Sequence, residues 1–187
     1  MDWINKLYVG FDGRLNRQPF WLGIIGLIIA SIIVGVVLGS IFGVSMMPMM
    51  GAAFDPNLTA EQLSAMVATA TRNGAWAGLV SFLILAYPAL SLSIKRAHDR
   101  NSNGQLVYAL FGLNALSLVL QALGISYGMT QMGTMMVPTP NAIGWILQAA
   151  TGLLGLYLLV TLGFLKGTTG PNTYGPDPLG GTAPTAA

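Results

Sequence analysis

Four long apolar runs divide the chain, and each has the length of a membrane-spanning helix. They cover approximately residues 20–44, 75–94, 106–125 and 143–165, and none of these runs contains a charged side chain. An α-helix rises about 1.5 Å per residue and a bilayer core is about 30 Å thick, so each run can cross it. The pattern predicts an all-α fold, a polytopic integral membrane protein built as a bundle of four transmembrane helices with short interfacial helices.

The polar segments predict the rest of the organisation. Near the N-terminus Ile4, Leu7 and Tyr8 recur at helical spacing, so we expect a short amphipathic helix there. Within the loop of residues 45–74, the run Thr59-Ala60-Glu61-Gln62 has the pattern of a capping box and predicts a separate helix. We therefore interpret residues 1–166 as a single four-helix transmembrane domain. The Gly/Pro/Thr-rich residues 167–187 are expected to form an irregular cytoplasmic tail with a disordered end.

Composition excludes a water-soluble domain. Only 7% of the residues are charged and 53% are hydrophobic, whereas an ordinary soluble domain has about 25% charged residues. So few charges cannot solvate the outside of the protein, which must therefore face lipid. Cysteine is absent, which excludes disulfides, thiolate metal ligands and a cysteine nucleophile. The net charge of +2 is too small to favour nucleic acid as a partner.

The basic residues predict the orientation in the membrane. Of the eight Lys and Arg residues, all but Arg72 precede the first span, lie between the second and third, or follow the fourth. An even number of spans puts these residues on one side, and cytoplasmic loops carry the excess of Lys and Arg. We therefore expect both the N- and the C-terminus in the cytoplasm.

Three polar motifs occupy that side. The first runs from Phe11-Asp12-Gly13-Arg14 through Arg17 to Phe20-Trp21, the second is Arg96-Ala97-His98-Asp99 with Gly104 five residues on, and the third is Gly170-Pro171-Asn172-Thr173-Tyr174-Gly175-Pro176-Asp177-Pro178. In order and spacing they resemble the three signature motifs of the DUF805 family of bacterial inner-membrane proteins. The resemblance spans nearly the whole chain, and it implies a small multi-pass protein of the bacterial inner (cytoplasmic) membrane whose biochemical role is not established.

The chain departs from the family pattern inside the second motif. Ala97, Asn101 and Gln105 stand where leucine, glycine and tryptophan are usual. Asparagine tolerates the left-handed backbone conformation that glycine favours, so the change at Asn101 is mild. The change at Gln105 removes an aromatic anchor and predicts an altered partner surface.

We expect the motif residues to form one group on the cytoplasmic face, here called the motif cluster. The motif cluster comprises Gly13, Arg14, Arg17, Arg96, His98, Asp99, Gly104, Asn172, Tyr174, Gly175 and Asp177. Two interpretations remain open. In the first, the arginines pair with Asp12, Asp99 and Asp177 and hold the loops together. In the second, the cluster binds an anionic ligand, a lipid headgroup or a partner protein.

The sequence does not favour catalysis. His98 beside Asp99 lacks a nucleophile and further metal ligands, so we expect the imidazole to organise a loop. No Gly-rich phosphate loop, HExxH motif or carboxylate pair occurs in the sequence. None of the spans carries a charged side chain, which argues against a coupled carrier. We expect no catalytic residue, no cofactor and a protein that is not an enzyme.

Glycines in the first span predict helix packing. Gly35, Gly39 and Gly43 repeat every four residues, and such a small-residue ridge allows another helix to approach closely. The partner helix belongs either to the same chain or to a second copy.

Methionines concentrate in the two loops that the orientation puts outside, residues 45–74 and 126–142. They are Met46, Met47, Met49, Met50 and Met66 in the first loop and Met129, Met132, Met135 and Met136 in the second. Thioethers are ligands for soft cations such as Cu(I), so a soft-metal site is one interpretation. Flexible apolar filling at the membrane surface is the other.

Two function classes follow from these patterns. The first is a structural or regulatory membrane module that engages a partner protein or an anionic lipid through its cytoplasmic motifs. The alternative is a small channel, carrier or metal-handling membrane protein with Met-rich external loops. The expected partners are membrane lipids with anionic headgroups, a second copy of the chain, or a membrane or cytoplasmic protein.

Overall fold

The computed structural model describes residues 2–44, 55, 57–133 and 135–180, and it is mostly helical. In chain order its elements are α1 (Asp2–Tyr8), α2 (Arg17–Ile41), α3 (Ala60–Asp99), α4 (Gln105–Ala122), β1 (Tyr127–Met132), β2 (Met135–Pro140), α5 (Ala142–Leu158) and a π-helix (Leu159–Phe164). Four helical segments, α2, α3, α4 and α5 with the π-helix, are long and apolar enough to cross a membrane. The predicted all-α, four-helix membrane architecture is therefore confirmed, with one small sheet in addition.

The first long helix begins and ends at sequence signals. Pro19 lies in the first turn of α2, where its missing N–H removes no intrahelical hydrogen bond. At the other end Gly43 has φ +69° and its N–H donates to Ser40 O, while Val44 N–H donates to Gly39 O at 2.7 Å. These two bonds form a Schellman cap, for which glycine is preferred.

This cap changes the interpretation of the predicted glycine ridge. Gly43 lies beyond the last residue of α2 and terminates the helix, so it is not a packing position. A Cβ at Gly35 would have no described atom within 4 Å, so the described residues place no helix of this chain against it. A second copy packed at Gly35 stays a prediction.

The predicted loop helix and second span form a single helix, α3. The capping box at its start is confirmed, because Thr59 N–H donates to Gln62 Oε1 at 2.9 Å and Gln62 N–H donates to Thr59 Oγ1 at 3.2 Å. The prediction of two separate helices was wrong because nothing between them stops a helix. Gly74 costs only about 1 kcal/mol in a helix interior, which a 40-residue helix absorbs.

A β-hairpin lies between the third and fourth spans, in the second of the two predicted external loops. β1 and β2 pair antiparallel, with Tyr127 opposite Pro140 and Met129 opposite Pro138. Along a strand, the N–H groups of residues two apart point to the same side. At Pro138 and Pro140 this is the side away from β1, so the missing N–H groups cost the hairpin no hydrogen bond. The N–H of Met136, two residues before Pro138, also points away from β1, and it donates to Ser64 Oγ at 3.0 Å.

The chain forms two compact units. One comprises Met1–Ser31, Leu83–Gly112 and Thr151–Ala187, and the other Ile32–Phe82 and Leu113–Ala150. The first unit contains a hydrophobic cluster of buried side chains contributed by all three of its segments. The cluster consists of Leu7, Leu15, Phe20, Leu92, Ile94, Ala97, Val107, Leu158 and Leu162. Ala97, one of the departures from the family pattern, is thus a core position of this unit.

Candidate functional site

The Asp99 carboxylate lies at the centre of the motif cluster and pairs with two arginines. Arg14 Nη2 lies 3.1 Å from Asp99 Oδ1, and Arg96 Nη1 donates to Asp99 Oδ2. All three residues are buried, with exposed fractions of 8% for Arg14, 0% for Arg96 and 3% for Asp99. Two buried arginines share one carboxylate, so the group has a net charge of +1 and joins the first motif to the second.

Arg96 also stabilises the end of the last helix. Its Nε donates to Leu162 O at 2.6 Å and its Nη2 donates to Leu165 O at 2.5 Å. The last carbonyls of a helix have no partner within the helix and carry a partial negative charge. A buried guanidinium therefore supplies both the hydrogen bonds and the opposite charge that this helix end requires.

Two side chains of α2 complete the same helix end. Arg17 Nη1 donates to Phe164 O at 3.2 Å, and Trp21 Nε1 donates to Gly163 O at 3.0 Å. Arg17 and Trp21 are four residues apart and share one face of α2. The indole approaches so closely that a Cβ at Gly163 would lie 2.8 Å from Trp21 Cζ2.

The third motif is held by Arg14. The guanidinium donates to Thr168 O at 2.6 Å, to Gly170 O at 2.7 Å and to Gly175 O at 3.3 Å. Asp177 contributes through its carboxylate, which accepts from Gly170 N–H at 2.8 Å. The segment after the π-helix therefore folds back onto the buried ion pairs, and its described part is not a free tail.

His98 organises the contact between the first and third motifs. Its Nδ1 lies 3.2 Å from Gly13 O, and its ring stacks on Tyr174 with centroids 3.8 Å apart. The backbone of His98 accepts a hydrogen bond from Asn172 Nδ2 at 2.9 Å. Burial lowers the pKa of the imidazole, against opposing effects of the Gly13 hydrogen bond and the Asp12 charge. The imidazole of His98 therefore joins two loop segments, in agreement with the expected organising role.

Backbone conformation explains two further positions of the second motif. Gly104 has φ +73°, and a Cβ there would collide with Ile94 Cδ1. Asn101 has φ +57° and is the one non-glycine residue with positive φ in the described part of the chain. The expectation that Asn101 tolerates the left-handed backbone conformation is confirmed.

Lys95 has a structural role that the sequence analysis missed. It is 4% exposed, and its Nζ donates to Lys6 O at 2.8 Å and to Val9 O at 2.7 Å, at the end of α1. Burial lowers the pKa of its ammonium, whereas the Asp12 charge raises it. In the sequence, only its position beside Arg96 pointed to such a role. The carbonyls that Lys95 binds lie about 90 residues earlier in the chain, so the sequence pattern could not reveal the contact.

A cavity of about 740 Å³ opens beside the motif cluster within the first unit. Its lining comes from the start of α2, the end of α3 and the segment from the π-helix onward. The lining residues are Asn16, Arg17, Gln18, Trp21, Arg96, Asp99, Gly163, Phe164, Lys166, Gly167, Thr168, Thr169, Asp177 and Leu179. We call this cavity the Arg17 cleft. The side chains of Arg17 and Lys166 are exposed, in contrast to the buried Arg14 and Arg96.

The methionine hypothesis is only partly covered by the structure. Met46, Met47, Met49 and Met50 lie outside the described residues. Met129 and Met132 are three residues apart in β1, so the pleat puts their side chains on opposite faces of the hairpin. A soft-metal site stays a prediction.

Comparison with known proteins gives one match. No curated protein and no solved structure matches the chain. The family model described as "Protein of unknown function (DUF805)" matches residues 8–176, a range that contains all three motifs and most of the chain. The chain therefore belongs to the DUF805 family of proteins of unknown function.

Proposed function

We propose that this protein is a non-enzymatic module of the bacterial inner membrane, with both termini in the cytoplasm, that binds an anionic phosphate-bearing group in the Arg17 cleft. The observation that carries the proposal is the cleft itself, with its volume of about 740 Å³ and two exposed cations on its lining. Its volume is within the range of about 300–1,000 Å³ that is typical of ligand sites.

The charges of the cleft favour an anion. Arg17 uses Nη1 for Phe164 O, and within the described residues its other two guanidinium nitrogens have no hydrogen-bond partner. Lys166 adds a second exposed cation, an ammonium group, and Arg96 adds a buried positive charge. Two carboxylates, Asp99 and Asp177, also line the cleft. Set against the three cations Arg17, Arg96 and Lys166, they leave the lining with a net charge of +1. Guanidinium and ammonium groups are the usual partners of phosphate oxygens.

The buried arginines of the motif cluster have a different role in this proposal. Arg14 and Arg96 are committed to Asp99 and to backbone carbonyls, so their loss disturbs folding before it affects a ligand. The two interpretations of the cluster therefore apply to different residues. Arg14 and Arg96 hold the loops together, and Arg17 and Lys166 engage the ligand.

The test compares two double variants of the full chain in detergent micelles. Arg17→Gln with Lys166→Gln should weaken binding of phosphatidylglycerol about tenfold or more, since each cation near an anionic group contributes about 1 kcal/mol. Lys6→Gln with Arg72→Gln removes two exposed cations outside the cleft and serves as the matched control. Native mass spectrometry of lipid-bound protein supplies the measurement, with the thermal unfolding midpoint as a check of folding.

Two outcomes would overturn the proposal. Equal losses in the two double variants would mean that binding follows net charge and not the cleft. Unchanged binding in the Arg17/Lys166 variant, with co-purification of a cytoplasmic protein that the same substitutions abolish, would assign the cleft to a protein partner.

A further inference from the structure

We infer that the occupant of the Arg17 cleft is a membrane phospholipid whose acyl chain lies along an apolar path that continues from the cleft, and not a soluble phosphate compound. The inference rests on the proposed function and specifies the source of the phosphate group. Its basis is the change from charged to apolar side chains along the two helices that border the cleft.

The start of α2 shows this change within two turns. Arg17 is its first residue, and Trp21, one turn later on the same face, also lines the cleft. One further turn along that face, Ile25 is 52% exposed. Residues four apart in a helix are neighbours on its surface. A ligand bound at Arg17 is therefore continuous with exposed apolar surface in the direction of the predicted membrane core.

The last helical segment shows the same order of side chains, from cation to aromatic to aliphatic, when it is followed backward along the chain. Lys166 follows the π-helix, Phe164 ends it with 59% of its surface exposed, and Val160 within it is 43% exposed. Trp21 and Phe164 are in edge-to-face contact with ring centroids 5.6 Å apart, which joins the two apolar paths. Along both helices a cation is thus followed by an aromatic side chain and then by an aliphatic one.

This gradient is the arrangement that a phospholipid requires. The headgroup phosphate needs cations at the level of the interface, and the acyl chain needs apolar surface beginning one turn deeper. A soluble phosphate compound has no acyl chain, so Ile25 and Val160 would not contribute to its binding. An anionic headgroup on a long acyl chain uses both parts of the site.

The experiment separates the headgroup from its chains with the full chain in a neutral detergent. Binding of long-chain phosphatidylglycerol is measured by native mass spectrometry in competition with glycerophosphoglycerol, which is the same headgroup without acyl chains. Long-chain phosphatidylcholine has the same chains and no net negative charge. We expect phosphatidylglycerol to bind most tightly and glycerophosphoglycerol not to displace it at equal concentration.

Two single variants test the apolar path. Ile25→Ala should weaken phosphatidylglycerol binding severalfold, since it removes methylene groups from the path. Leu106→Ala is the control, because Leu106 is comparably exposed at 47% but lies in α4, which contributes none of the residues that line the cleft. If Ile25→Ala does not yield folded protein, Val160→Ala tests the same path from the other helix.

Each result has a distinct meaning. Equal competition by glycerophosphoglycerol, or equal effects of Ile25→Ala and Leu106→Ala, would overturn the lipid inference while leaving anion binding in the cleft intact. If the wild-type protein binds neither phosphatidylglycerol nor glycerophosphoglycerol, the proposed function is overturned as well. The same holds if Arg17→Gln with Lys166→Gln leaves phosphatidylglycerol binding unchanged.

Discussion

The Asp99 carboxylate joins arginines that come from two different motifs. Arg14 and Arg96 are both buried against it, and each also donates to backbone carbonyls of the segment that follows α5. A buried charge is tolerated only when it is paired and hydrogen-bonded. A single substitution at Asp99 therefore leaves two buried guanidinium groups without their counter-charge.

Asp99→Asn is expected to destabilise the protein by about 3–5 kcal/mol, because it leaves two buried guanidinium groups without a counter-charge. The measurement is the free energy of unfolding in detergent micelles. Asp12→Asn is the matched control, since Asp12 is an exposed carboxylate of the first motif and its loss should change stability little. Equal effects of the two substitutions would contradict the role assigned to the buried pairs.

The stability of the protein is expected to depend on pH through His98, the only histidine in the chain. Burial lowers its pKa below the usual value of about 6.5, so the unfolded chain binds the proton more tightly than the folded protein. The contribution of His98 is therefore complete above about pH 6.5 and is lost as the pH falls from there through the lowered pKa. The unfolding midpoint of the wild type should fall over this range, and His98→Gln should reduce that fall. Identical pH profiles would contradict the prediction.

At the scale of elements, the end of the last helix is stabilised by side chains from other helices. Arg96 of α3 and Arg17 and Trp21 of α2 donate to four successive carbonyls, those of residues 162–165. The usual sequence signals for a helix end lie within the helix and just after it. Here the partners are far away in the chain, so the change from α5 to a π-helix could not be predicted, although the apolar run to residue 165 ends where the helical segment ends.

The close packing of Trp21 on the π-helix predicts opposite effects for two glycines. Gly163→Ala should destabilise the protein by about 1–3 kcal/mol, because its methyl group would force the indole out of position. Gly152→Ala in α5 meets no described atom within 4 Å and should stabilise by about 0.5–1 kcal/mol through the lower entropy of the unfolded chain. Unfolding of both variants in detergent gives the comparison, and equal effects would contradict the observed packing.

At the scale of the whole molecule, four apolar helices and the distribution of cations predict the topology. The loop between α3 and α4 carries Arg100 and follows Lys95 and Arg96, whereas the hairpin of β1 and β2 carries no charge. Positive loops stay in the cytoplasm. The hairpin is therefore expected on the external side of the membrane.

Cysteine labelling tests this topology, because the chain contains no cysteine of its own. Ser102→Cys and Gln131→Cys both alter exposed residues, the first between α3 and α4 and the second in β1. A membrane-impermeant maleimide should label only the Gln131→Cys variant in spheroplasts, and both variants after permeabilisation. Labelling of Ser102→Cys in sealed spheroplasts would contradict the predicted orientation.

Hydropathy, capping and motif order sufficed to predict four apolar helices, the start of α3 at its capping box and the membership of Arg14, Arg96 and Asp99 in one group. The helices and the capping box depend on local sequence. The placement of the three residues on one side of the membrane follows from an even number of spans. The tertiary structure decided which arginines are buried and which remain exposed, since Arg14, Arg17, Arg96 and Arg100 are chemically alike in the sequence. Burial depends on neighbours as far away as Gly170, which is 156 residues from Arg14. That distance explains why Arg17 and Lys166, and not the paired arginines, emerge as the candidate ligand contacts only from the folded chain.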